Sequence, residues 1–344
     1  MKKYSILMLV SRYHEVSGHT RVIDSLSKEL VSLGHKVTIG SFNFEKDPPE
    51  QISKLILRKS DITKMIKDGK FDILHNHQTL MNYHLLFTHQ PLIFHYHGAS
   101  TKSQKINLGI CSIMCKKRIN KIISISESAK KEIKQYFTTS NSVIYNGVNT
   151  NFYKPNNERK KQKGKPQLLF VGNLFEYKNI QFIIKSFSKL KQKFPDIHLQ
   201  IIGDGLYKKN LTEMISNLNL QDQIELVGRV DDEQLKEYYT SCDVYTTSST
   251  WEFFNLPLLE SMSCGKPVLV SDLPVHEEII SESRAGKIFT MNVDSFVEEL
   301  EFILKNYVEF SENARKFALE NDWSNMAKSI LQVYDELIST KNLV

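Results

Sequence analysis

The 344-residue chain has only four cysteines, Cys111, Cys115, Cys242 and Cys264, in no C-x-x-C or H-x-x-x-H spacing. That scarcity excludes a disulfide framework and a zinc site. It leaves the thiols to be read as small buried hydrophobes in a reducing compartment. No run approaches the ~18 consecutive apolar residues of a membrane span. Behind Lys2-Lys3, the apolar run Ser5–Val10 is only as long as a core strand and no small-residue cleavage site follows. It is read as a first strand, and a cytoplasmic location is expected. No aspartate-x-aspartate pair follows a strand, so no metal site is expected. Nor is the chain short of apolar residues: 41% are hydrophobic and 24% charged, which excludes disorder, collagen and coiled coil as descriptions of the whole. At ~150 residues per domain, two domains are expected.

Charge is distributed unevenly. Residues 1–165 carry +16 and residues 166–344 carry −10. A basic half suits a phosphorylated substrate, an anionic membrane or nucleic acid, or is simply a solvated surface. No nucleic-acid motif accompanies it.

Apolar runs alternate with helical spacing along the chain. Strands are expected at Ser5–Val10, Lys36–Ser41, Asp72–His75, Leu92–Tyr96, Lys121–Ile125 and Ser142–Ile144, with a helix over Thr20–Leu33. The polar run 156–166 reads as a linker. Beyond it the alternation restarts, with strands at Leu168–Val171, Leu199–Ile202, Ile224–Leu226, Val244–Thr246, Val268–Val270 and Gly286–Phe289. Two α/β domains follow, 1–160 and 161–324. A final amphipathic helix over 325–344 is expected to pack back on the first domain, although pattern alone does not decide between the two.

In open α/β sheets, ligands bind beyond the carboxyl ends of the strands. Two such loops stand out. Val171-Gly172-Asn173 leads to Lys178 just ahead of a helix, a pattern that suits phosphate. The loop Thr247–Pro257 carries Glu252 and runs into a helix whose first turn is expected to hold Glu260. Two carboxylates with backbone amides between them can hold hydroxyls and a phosphate. Either acid can equally be a cap or a surface charge.

The segment from Glu252 to Val268, Glu-Phe-Phe-Asn-Leu-Pro-Leu-Leu-Glu-Ser-Met-Ser-Cys-Gly-Lys-Pro-Val, resembles the E-x7-E signature of family 4 retaining glycosyltransferases of group 1. Further likenesses follow in the family's order: Ser17-Gly18-His19, Gly34-His35-Lys36-Val37, Asp72-Ile73-Leu74-His75-Asn76-His77, His95-Tyr96-His97-Gly98, Ser124–Ser128, Ile144–Asn149, Gly172-Asn173 to Lys178, and Ile202-Gly203-Asp204-Gly205. The resemblance implies a GT-B fold, two Rossmann-like domains with parallel sheets facing across a cleft. The first would bind the acceptor and the second a nucleotide-diphosphate sugar. It implies metal-independent hexosyl transfer with retention and no cofactor, the nucleotide sugar being a substrate.

By position, the resemblance gives His97, Lys178 and Glu252 catalytic roles. Lys178 would hold the leaving diphosphate, Glu260 the ribose hydroxyls, Glu252 the donor-sugar hydroxyls, and Phe253, Phe254, Asn255 and Leu256 a loop whose amides touch sugar and phosphate. Gly18, Gly172, Gly203 and Gly205 would let backbone approach the donor. Asn173 stands where the family often has arginine, so Lys208, Lys209 or Arg229 is expected to supply a missing cation. The acceptor is expected to be a glycan or lipid-linked molecule of cell-envelope synthesis. The stretch Ile106–Lys121 is either a basic amphipathic surface for an anionic membrane at its inner face or a core helix with a basic end. A non-catalytic nucleotide-sugar-binding protein and a GT-B epimerase are the alternative readings.

Overall fold

The computed structural model describes residues 2–15, 17–156 and 164–341. The chain divides into two compact units, residues 1–147 with 323–344, and residues 148–322.

The first unit runs β1 (Ser5–Leu9), β2 (Arg12–Tyr13), α1 (Gly18–Ser32), β3 (Lys36–Ser41), β4 (Asn43–Phe44), β5 (Ser53–Ile56), α2 (Ile62–Asp68), β6 (Ile73–Asn76), α3 (Met81–His84), β7 (Leu92–Tyr96), α4 (Lys102–Cys115), β8 (Lys121–Ser124), α5 (Glu127–Ile133) and β9 (Asn141–Val143). Seven strands form a parallel sheet in the order β5-β3-β1-β6-β7-β8-β9. The chain builds outward from β1 on one side and then from β6 on the other, so strand order reverses between β1 and β6. Ser17 caps α1 in extended backbone, its hydroxyl accepting from Thr20 N–H at 3.0 Å. Val22, Ile23, Leu26 and Leu30, at helical spacing, bury the inner face of α1.

The second unit runs β10 (Gln167–Val171), a 3₁₀ turn (Glu176–Lys178), α6 (Ile180–Lys193), β11 (His198–Ile202), α7 (Lys208–Asn217), β12 (Ile224–Gly228), α8 (Asp232–Ser241), β13 (Val244–Thr247), α9 (Leu256–Ser263), β14 (Val268–Ser271), α10 (Pro274–Ser283), β15 (Gly286–Phe289), α11 (Val293–Lys305) and α12 (Tyr307–Glu320). Its six parallel strands lie in the order β12-β11-β10-β13-β14-β15, which reverses between β10 and β13. Ile180, Ile183, Ile184, Phe187 and Leu190 press α6 onto Leu168, Phe170, Leu199 and Ile201 of the sheet. The last helix, α13 (Trp323–Lys341), belongs to the first unit and packs on α1.

The division falls at 147/148 and 322/323, not at 160/161 and 324/325, because the chain is already tied to the second unit by Thr150. Its hydroxyl donates to Asp322 at 2.6 Å, and Arg315 donates to its carbonyl at 3.1 Å. Of the polar run read as a linker, residues 157–163 lie outside the described residues. All four cysteines are free and buried. Among the described residues no helix is long and apolar enough to cross a membrane.

Candidate functional site

The reversal between β10 and β13 is where a doubly wound sheet leaves a crevice at its carboxyl edge. The loops that leave these two strands are stitched together. Thr250 donates to the Tyr177 carbonyl through its N–H at 2.8 Å and its hydroxyl at 3.1 Å. Ser248 donates to the Asn179 carbonyl at 2.7 Å. Asn179 can make the sharp turn into α6 because asparagine tolerates its left-handed backbone, φ +52°. These ties bring Lys178 and Glu252 into an ion pair, with Ser249 donating to the same carboxylate oxygen at 3.0 Å. Both side chains are largely buried, 14% and 7% exposed, and the Lys178 stem lies over Gly172. Phe253 sits edge-on to Trp251, which sits edge-on to Tyr177.

Glu260 lies in the second turn of α9, not the first as expected. The helix begins at Leu256, because Asn255 is its cap and Pro257 occupies its first turn. Glu260 is buried and accepts from the Tyr239 hydroxyl at 2.8 Å, and burial holds that phenol well above its ordinary pKa. Asn255 is buried, with its oxygen accepting from Leu258 N–H at 3.3 Å. One of the amides between Glu252 and Glu260 is therefore already used, as the cap bond of α9. Phe254, in the loop, and Leu256, the first residue of α9, are half-buried.

Two of the glycines have a reason within the chain itself. A Cβ on Gly203, whose φ is +137°, would stand 1.9 Å from the Gly172 carbonyl oxygen. One on Gly205 would stand 2.5 Å from the Leu174 carbonyl oxygen. Gly203 and Gly205 thus allow the loops after β10 and β11 to pack. Asn173 and Arg229 are exposed at the same edge. Asp204 is held below the usual carboxylate range by the Gly205 N–H at 2.8 Å, and also by Lys208 and Arg229, with Lys208 at 3.6 Å. Lys209 pairs with Glu213 at 3.8 Å.

In the first unit the reversal lies between β1 and β6. There a pocket of about 270 Å³ opens, lined among others by Ser11, His19, His77, Gln78, His97 and Asn107. The loop after β1 is fixed to the loop after β6 by Ser11 N–H, which donates to Gln78 at 2.9 Å. A Cβ on Gly18 would meet nothing within 4 Å, so the chain itself does not require glycine there.

His97 is the outermost member of an imidazole ladder that sequence reasoning missed. His75 and His77 lie stacked at 4.6 Å beside His95 and His97, also stacked at 4.6 Å. Rings on the two strands are joined, His75 Nε2 to His95 Nδ1 and His77 Nδ1 to His97 Nε2, each at 3.1 Å. Tyr334 of α13 closes the inner end on His75 Nδ1 at 2.5 Å, and His19 meets His97 edge-on at 4.6 Å. The signal was there: two H-x-H pairs on adjacent strands put all four rings on one face. Burial pushes His75 down to about 3. Burial and then the neighbouring imidazoles hold His77, His95 and His97 well below the ordinary histidine value, so the ladder is neutral near pH 7. Nitrogens of His75, His77 and His95 lie within 4.8 Å of one another. Ring lone pairs lie in the ring plane, however, and His75 and His77 are within 6° of parallel. Their lone pairs run side by side and do not converge as a tetrahedral metal site demands.

Comparison with known proteins bears on both units. Two family models tile the chain, Glycosyltransferase Family 4 over residues 16–152 and Glycosyl transferases group 1 over residues 154–320. An uncharacterized glycosyltransferase of Methanocaldococcus jannaschii is 31% identical over 232 residues, 62% of this chain and 59% of that protein. The phosphatidyl-myo-inositol mannosyltransferase of Mycobacterium tuberculosis is 26% identical over 80% of this chain and 76% of its own. The matches to the first three curated relatives span 56%, 59% and 60% of those proteins. Anabaena HepE, solved in complex with UDP, superposes with a TM-score of 0.82 at 17% identity, over 96% of this chain and 100% of that one, a likeness of fold. With both of its Rossmann-like units matched in sequence order, the chain belongs to the group 1, family 4 glycosyltransferases of the GT-B fold.

Proposed function

We propose that this protein transfers a hexosyl group, with retention at the anomeric carbon, from a UDP- or GDP-sugar to a glycan or lipid-linked acceptor, and that it does so without a metal ion. The observation that carries the reading is the largely buried Lys178–Glu252 pair over Gly172, at the strand reversal of the second unit. When the bond from the anomeric carbon to the diphosphate lengthens, negative charge grows on the departing oxygens. A fixed ammonium beside them is worth more in that state than in the ground state. In this role Lys178 exchanges its carboxylate partner for the diphosphate. Glu252, released from it, accepts from sugar hydroxyls. The α9 amino terminus adds its dipole, and Glu260, from the second turn of that helix, takes the ribose hydroxyls. Lys208 and Arg229 are the cations that stand in for the arginine absent at Asn173.

In the first unit, the pocket carrying His97 takes the acceptor, and Gly18 leaves open space at the start of α1. Neutral His97 spends Nε2 on His77 and keeps Nδ1 for one hydrogen bond to a sugar hydroxyl. A relative named as a phosphatidyl-myo-inositol mannosyltransferase supports a lipid-linked acceptor, and a structural neighbour bound to UDP supports a nucleotide donor.

The test is incubation with a panel of UDP- and GDP-sugars, each with and without excess EDTA. Thermal shift reads binding, and release of nucleoside diphosphate reads turnover. A donor present at 100 times its Kd should stabilise the protein by ~2.7 kcal/mol. Turnover should persist in EDTA and the product should keep the donor's anomeric configuration. Activity lost in EDTA and restored by magnesium or manganese removes the metal-free mechanism. Binding without turnover in any acceptor mixture makes the chain a binding protein.

A further inference from the structure

His97 is hydrogen-bonded to the chain through one ring nitrogen. Its Nε2 lies 3.1 Å from His77 Nδ1, while its Nδ1 takes no hydrogen bond among the described residues. The two nitrogens of an imidazole point to nearly opposite sides of the ring. With Nε2 turned to His77, Nδ1 is left to the pocket that His97 lines.

His77 is placed differently. It is buried, and its Nε2 has no partner among the described residues. The turn that carries it is locked. His77 N–H donates to the Leu9 carbonyl at 3.0 Å. The Asn76 side chain brackets the next residue, accepting from Gln78 N–H at 3.1 Å and donating to the Gln78 carbonyl at 2.8 Å. The ring of His77 lies flat on His75.

Both rings are neutral near pH 7, so each carries one proton. No carboxylate lines the pocket, and the chain has none from Ile73 to Ser126 to draw a second proton. Of the two nitrogens that face each other, one therefore holds a hydrogen and the other a lone pair. If the hydrogen were on His97 Nε2, His77 would carry its own on Nε2, an N–H buried without an acceptor. Such orphaned donors are rare in folded proteins, because nothing replaces their lost hydration. A bare acceptor left unpaired is better tolerated. The other arrangement puts the hydrogen on His77 Nδ1 and leaves only a lone pair at its Nε2. His97 then accepts at Nε2 and carries its own hydrogen on Nδ1.

We propose that His77 is a positioning residue: donating from Nδ1 to His97 Nε2, it fixes His97 as the Nδ1–H tautomer, so that the ring offers the pocket a donor and no acceptor. The inference rests on the reading of this pocket as a sugar site. The ligand atom opposite His97 must then accept. A hydroxyl, an acetamido carbonyl or a carboxylate oxygen does so, and a protonated amine does not. His97 thereby selects against an ammonium at that position of the ligand.

The test begins on the parent chain with isotope-labelled histidine, His97→Gln serving only to assign the signals. Long-range nitrogen–proton correlation spectra near pH 7 tell a protonated ring nitrogen from a bare one. His97 and His77 are each expected to show a protonated Nδ1 and a bare Nε2. In His77→Ala the vacated space adjoins the pocket and admits water, which donates as readily as it accepts, and the His97 proton should redistribute toward Nε2. With the preferred donor and acceptor, His77→Ala should lower kcat/KM by up to about tenfold, the share of one hydrogen bond. In a His97→Ala background the same change should cost nothing further, whereas a purely structural His77 would cost the same in both backgrounds. A parent His97 protonated on Nε2, a tautomer unchanged in His77→Ala, or additive losses in kcat/KM overturns the proposal. The parent spectrum decides even where His77→Ala does not fold. It also separates the two readings. A chain without transfer activity still reveals its tautomer, and transfer by a chain whose His97 is protonated on Nε2 leaves the transferase standing and removes this role of His77.

Discussion

Lys178 and Glu252 each hold the other's charge in a place that admits little water. In such a pair, removing one partner does more than delete a contact, because the remaining charge stays behind with less solvation. Lys178→Ala leaves Glu252 accepting from the Ser249 hydroxyl of its own loop. The proposed role makes a sharper claim than instability. Turnover should fall by ~10²–10³, mostly in kcat, because the ammonium acts on charge that develops in the transition state. Steady-state kinetics with the preferred donor reads this directly. Asn173→Arg should restore part of the loss, since Asn173 is exposed at the same sheet edge. A variant with near-normal kcat would return Lys178 to a purely structural pairing with Glu252.

At the scale of the element, the carboxyl edge of the second sheet is built by close backbone approach. Gly203→Ala would press a Cβ against the Gly172 carbonyl at a φ that L side chains rarely adopt. The β10 loop must then shift, and Lys178 lies over that same Gly172. Loss of ~2 kcal/mol or more of stability is expected by chemical denaturation, together with weaker donor binding. Elements with strong apolar periodicity were legible in the sequence. Strands β3, β7 and β15 fall at the residues expected. Strand β5 was not legible because an edge strand with mostly exposed side chains has no apolar alternation to read. Helices α11 and α12 went unassigned although their buried faces, such as Phe296, Leu300 and Ile303, repeat at helical spacing. The E-x7-E spacing located the loop of the candidate site. It did not reveal that Asn255 would be spent as a cap, because a capping bond depends on where the helix starts.

For the whole molecule, the imidazole ladder sets a pH dependence. His75, His77 and His95 are buried and held below their ordinary values, so the native state keeps them neutral while the unfolded chain protonates them below about pH 6.5. The unfolded state then binds more protons, and stability falls as pH falls. The slope should reach ~1.4 kcal/mol per pH unit for each such histidine. Urea midpoints between about pH 6.5 and 5.5, above the range where most carboxylates titrate, should show it. His77→Gln should lower the slope by one histidine's share, and an unchanged slope would mean that His77 does not titrate on unfolding. The ladder's inner end rests on Tyr334, a residue encoded after the whole of the second unit. On a ribosome adding ~5–20 residues per second, the interval between Gly147 and Trp323 lasts roughly 9–35 s. Through that interval the first sheet lacks α13 and the tyrosine over His75. All residues of the second unit are encoded before Trp323, and Val148 and Asp322 pair where its two chain ends meet. The first unit is therefore discontinuous in coding order and cannot close before α13 has been made.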